Sequence, residues 1–216
     1  MIPSDHVTPR ENSMARAASL ALAGALGFGL GVWATRPRRR VVENRAGFRD
    51  PLERFAPEQS QAFMRRAIAN ARKAGVEERT GGPFGAVVVD RRGEIIGEGS
   101  NRVVANHDPS WHAEMEAIRN ACAAIQSRTL EGCVLFASSE PCPMCLAAAH
   151  WARLDGIVFA STVDDAATYG GFDDAFLYEQ FTRPAPARQF PISTILRDEA
   201  VEVWREYAAQ PDNPSY

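Results

Sequence analysis

Residues 133–153 read CVLFASSEPCPMCLAAAHWAR. The apolar run 133–138 is short and ends in polar residues, the pattern of a buried strand. Residues 141–153 are predicted helical, with Pro141 suited to the first helical position. Cys142 and Cys145 then stand three apart on the first turn and share a face. Free N–H groups and partial positive charge at a helix start favour the thiolate, the form that binds metal.

Working outward, 156–161 is a further strand. Upstream, Asp108 with Pro109 predicts a helix start, followed by an apolar face of Met115, Ile118, Cys122 and Ile125. Two strands, 84–90 and 94–101, turn on Arg91-Arg92-Gly93 as a hairpin. Residues 57–75 read as a helix carrying Phe63, Ala67, Ile68 and Ala71 on one face and stopped by Gly75. Downstream, 173–181 and 199–207 are predicted helices and 190–196 a last strand. No internal repeat is present. This order predicts an α/β fold with a central sheet between helical layers. Residues 57–216 form its domain, and 45–56 a linker.

His112-Ala113-Glu114 precedes the Cys pair by an apolar helix and a strand. One His and two Cys give three protein ligands. Structural zinc sites usually have four, whereas catalytic ones leave a position for water. Zinc takes mixed sulfur and nitrogen ligands, so His112, Cys142 and Cys145 are the candidate zinc ligands. A carboxylate beside them, Glu114, can move protons between water, a ring nitrogen and a leaving amine. Two other readings remain: a redox CxxC, and a folding zinc site closed by Cys133, Cys122, His107 or His150. Cys122 and Cys133 otherwise read as buried free thiols.

The chain has 216 residues and a net charge of −3. That balance argues against a general nucleic-acid binder. The strongest basic run, Arg36 to Arg40, lies outside the predicted domain. It follows an uncharged stretch, 17–34, at the short end of a membrane span. Three readings fit this stretch. It is an anchor that keeps the domain cytoplasmic, an export signal cut near Val32-Trp33-Ala34, or an extension that is disordered or untranslated, with Met14 as the start.

GGPFGAVVVD from Gly81, NHDPSWHAEMEAIRNAC ending at Cys122, SSEPCPMCLAAAHWAR ending at Arg153, and GGFDDAFLYEQF ending at Phe181 resemble the cytidine deaminase-like superfamily. They are most similar to its bacterial guanine deaminase branch, over residues 57–216. H-x-E…P-C-x-x-C is the superfamily's zinc signature; FDD with a terminal Tyr is more particular to the branch. The resemblance implies a three-layer α/β/α sandwich, bound Zn²⁺, and hydrolytic deamination of a small-molecule purine, guanine to xanthine. It implies a homodimer that exchanges C-terminal segments, bringing Tyr216 over the partner's site. Asn101 would hydrogen-bond the base, Phe84 stack on it, Trp151 wall the pocket and Asp174 accept base N–H groups. Glu199, with Glu202 next, would be a second proton carrier.

Each of these residues also has an ordinary structural reading. Asn101 would cap a turn, Phe84 and Trp151 would fill core, Asp174 would N-cap a helix, and Tyr216 would be a disordered terminus. Trp111 departs from the relatives' small residue before the His and would narrow the pocket mouth. The tail AAQPDNPSY is longer than theirs. Alternatives to guanine are adenosine in tRNA, or guanosine, cytosine or an aminotriazine; a zinc-binding interaction module without activity is the reading from outside enzymes.

Overall fold

The computed structural model describes residues 50–213. The stretch 17–34, the arginine run and Tyr216 lie outside the described residues. Two helices on opposite faces of one sheet and the turns between them set the frame. In chain order the elements are α1 (Pro57–Arg72), β1 (Gly85–Val89), β2 (Ile95–Ser100), α2 (Val103–Asn106), α3 (Ala113–Ala124), β3 (Val134–Ser139), α4 (Pro143–Trp151), β4 (Gly156–Ser161), α5 (Val163–Gly170), α6 (Asp174–Thr182) and α7 (Arg197–Ala209). The strand order is β2-β1-β3-β4. β1 runs antiparallel to β2 and β3, and β3 parallel to β4.

Strand alternation sorts the core into two layers. Ala86, Val88 and Leu135 pack with Ala113, Ala117, Ala121 and Ala149 of α3 and α4. Val87, Val89, Val134 and Phe136 face α1 and pack with Phe63 and Phe55. β1 and β3 are buried along their whole length, as expected of central strands covered on both faces. The expected α/β/α sandwich is the fold found. Among the described residues no helix is long and apolar enough to cross a membrane.

Small residues bring α3 close to the sheet. A Cβ on Gly97 would lie 2.4 Å from the Ala117 carbonyl, and one on Gly99 2.0 Å from the Ala113 carbonyl. Only glycine permits that approach. It sets the first turn of α3 against the end of β2.

Four expectations change. Phe55 is buried against Phe63 and Phe136, so the folded unit extends upstream of residue 57 into the expected linker. α1 passes into a wider turn, Lys73–Glu77, and does not stop at Gly75. Asp108 and Pro109 start no helix, because Asp108 Oδ1 accepts the Ser110 N–H and hydroxyl and closes a local turn. α3 therefore begins at Ala113. Residues 190–196 have strand-like composition but form no strand within the chain.

Candidate active site

His112 is the N-cap of α3, in extended conformation. Cys142 is the N-cap of α4, with Pro143 in its first turn, so the proline that opens the helix is Pro143 and not Pro141. Cys145 sits in that first turn and is fully buried. Two helix N-termini from different parts of the chain thus meet. The His112 Nδ1 lies 3.6 Å from Cys142 Sγ and 3.5 Å from Cys145 Sγ, and the two sulfurs are 3.6 Å apart. A tetrahedral zinc with ordinary Zn–S and Zn–N lengths needs edges of about 3.6–3.8 Å. The donor set therefore fits zinc in type and spacing. Among the described residues no fourth His, Cys, Asp or Glu joins the group. Cys133 is buried and Cys122 half-buried, both as free thiols apart from it. Among the described residues the group that could hold a metal ion is therefore one of three, His112, Cys142 and Cys145.

The electrostatics suit a cation. The Cys145 hydrogen bond, followed by that of His112, brings the Cys142 thiol down to about 4 against the cost of burial. That thiolate, and then burial, push Cys145 upward, and its hydrogen bond raises His112. Such crowding of charge is relieved when one divalent ion takes both sulfurs.

Glu114 is 4% exposed, and its Oε2 is buried without a hydrogen-bond partner in the protein. Burial raises its carboxyl to about 7. An unpartnered buried carboxylate oxygen is costly, so it points to a partner outside the chain. His112 is extended and Glu114 is in the helix, and the two side chains feel each other's charge despite their separation of two residues.

Residues 57–161 match the cytidine and deoxycytidylate deaminase zinc-binding region. Guanine deaminase of Bacillus subtilis is 42% identical over 151 residues, which are 68% of this chain and 95% of that protein. The chain belongs to the cytidine and deoxycytidylate deaminase family. The solved structure of the same relative covers 71% of this chain and 98% of its own, with a TM-score of 0.64. A solved relative bound to 8-azaguanine is 33% identical, covering 70% and 86% of the two chains, with a TM-score of 0.51. The tRNA-specific adenosine deaminase of Bacillus subtilis is 34% identical over 65% of this chain and 83% of its own length. The matched zinc-binding region contains His112, Cys142 and Cys145, and a zinc-dependent hydrolase acting on C–N bonds is the enzyme class of this deaminase-family chain.

The other predicted residues have well-defined local partners, and Asp174 feels the charge of the group. Asn101 is 4% exposed and follows β2 directly. Its backbone N–H donates to the Phe84 carbonyl, and its own carbonyl accepts from the Thr80 hydroxyl. Its Oδ1 does cap the turn, accepting the Val103 N–H at 3.2 Å. Gly81 is required beside it, since a Cβ there would lie 1.9 Å from that oxygen. Phe84 meets Phe172 edge to face at 4.9 Å. Asp174 is not a helix cap; Asp173 is, accepting the Phe176 N–H. Burial, and then the charge of Cys142, raise the Asp174 carboxyl, which places it within reach of the ligands' field.

Trp151, Glu199 and Glu202 are exposed in one chain. Trp151 ends α4 and is 67% exposed. It lies six residues past Cys145, roughly 9 Å along the axis. Glu199 and Glu202 are exposed on α7, whose ion pairs Arg197–Asp198 and Arg205–Glu202 are internal to the helix. Trp111 donates to Glu116, with Arg119 5.5 Å over its ring, so its indole is engaged by α3. Sequence reading missed Tyr178, whose hydroxyl donates to the Pro141 carbonyl at 2.6 Å and ties α6 to the turn before Cys142. It also missed Glu116. A second acid four residues after His112 was the available signal.

Proposed function

We propose that the chain hydrolyses guanine to xanthine and ammonia. The observation that carries this is the unpartnered Glu114 oxygen beside an incomplete zinc donor set, in a chain that spans 95% of a guanine deaminase. His112, Cys142 and Cys145 would hold the ion. Bound zinc supplies Lewis acidity and lowers the pKa of water to about 7. Glu114 accepts the proton of the attacking water and delivers it to the ring nitrogen beside the amino-bearing carbon. It then carries the second proton to the amine, which leaves as ammonia. Its raised pKa near neutrality suits a group that must take and return protons.

Asn101 would offer its side-chain amide to the base, Phe84 its ring, and Asp174 an acceptor for base N–H groups. The acidic charge balance favours a free base over tRNA. The full chain, incubated separately with guanine, guanosine, cytosine, an aminotriazine and adenosine-containing tRNA, should release ammonia fastest from guanine. Release from tRNA with none from guanine would move the assignment to the tRNA-editing relatives.

Trp151, Glu199 and Tyr216 belong to this reading through a homodimer with exchanged tails. Phe190 (78% exposed), Ile195 (79%) and Trp204 (70%) offer the tail's apolar contacts, and Trp151 and Tyr169 (88%) an exposed apolar surface on the domain. A Glu114→Gln chain mixed with a chain ending at residue 188 should recover activity that neither has alone. A native mass of one chain, or no recovery in mixed dimers, would rule the exchange out.

A further inference from the structure

We infer that Glu116 is a positioning residue that locks the turn bearing His112 to the loop bearing Asn101; the inference rests on the deaminase reading of the site. Glu116 is two residues beyond Glu114 on α3, so it leaves the helix on a different flank. Its Oε2 accepts the Ser100 N–H at 2.7 Å, and its Oε1 accepts the Trp111 indole N–H at 3.2 Å. The Arg102 N–H closes a third link, donating to the Trp111 carbonyl at 3.1 Å. Asn101 therefore has both chain neighbours bonded to the Trp111–Glu116 pair, and Trp111 is itself the neighbour of His112.

The chemistry calls for a carboxylate. Two N–H donors converge on one side chain, and a carboxylate supplies an acceptor oxygen to each. Glutamine would keep one acceptor and turn an NH₂ toward the other donor. β2 is an edge strand, paired with β1 on one side only. At its far edge Glu116 and Asn120 stand in for a strand, Asn120 donating to the Glu98 carbonyl at 2.8 Å. Arg119 holds the indole from its face. Without Glu116, the end of β2 and the turn before His112 keep only the Arg102–Trp111 backbone bond between them. A metal ligand and a base-contacting amide are then held together less tightly, and sub-ångström drift is costly at such sites.

The test uses the full chain with Glu116→Gln, Trp111→Phe and both together. Zinc affinity is read by competition with a chelator, kcat and KM with guanine, and folding by thermal melting. Each single variant should weaken zinc binding by about tenfold, the lower end for loss of an outer partner of a metal site. KM should rise more than kcat falls, and the double variant should lose less than the sum of the two single losses, because the two residues share one bond. Variants that melt earlier but keep wild-type zinc affinity and KM in the folded state would overturn the clamp. A wild-type chain that holds zinc but leaves guanine intact would sink the substrate assignment only, and the chelator competition would still decide the clamp. A wild-type chain that binds no zinc would overturn both.

Discussion

Glu114→Gln should purify with as much zinc as the wild-type chain and lose guanine turnover by roughly 10²–10⁴-fold, the range of a positioned proton carrier. The substitution keeps the shape of a side chain that is 4% exposed, so folding should change little. It removes the ability to take a proton. The amide also presents N–H groups where Oε2 now lies buried without a partner. The three ligands come from other residues, so zinc content measured by elemental analysis should stay level while ammonia release collapses. Retained turnover would mean that another group moves the protons, and the role given to this carboxylate would be wrong.

Cys145→Ala should lose both zinc and turnover. Cys145 is fully buried and completes the set with His112 and Cys142. Two donors cannot hold zinc against chelation, and the remaining thiolate loses the hydrogen bond that contributes most to its low pKa. A ligand that binds only the folded state stabilises it by about 4 kcal/mol at a thousandfold excess over its dissociation constant. The wild-type chain should therefore melt lower after chelation and recover with added zinc, whereas the variant should ignore both treatments. Cys133→Ala is the control: that thiol lies outside the group, and its zinc content should remain that of the wild type. Zinc loss in this control would restore the reading of a closed structural site.

The donor set was legible in the sequence because it depends on residue type and short spacing. H-x-E and P-C-x-x-C lie on single turns, and local periodicity marked the strands that flank them. Boundaries were less legible where a side chain competes with the helix. Asp108 closes a turn of its own, and α3 starts at Ala113, four residues later than a start at Pro109. Residues 190–196 are apolar and β-branched, yet strand formation requires a neighbouring edge, which composition does not supply. Phe55 looked like linker because its partners, Phe63 and Phe136, are remote in the chain. Glu116 was passed over for the same reason. Its two donors come from β2 and from the turn before α3.

By itself, the sequence determined which atoms could bind a metal and which acid could move protons, since those properties belong to side chains and to the ends of the helices that carry them. Tertiary structure decided that side chains at two helix N-termini meet to within 3.6 Å, that one Glu114 oxygen is buried without a partner, and that Trp151 and Glu199 are exposed in one chain. The reason is packing: Gly97 and Gly99 let α3 approach β2 more closely than any side chain would allow. That approach is a contact between distant segments, which no local pattern encodes.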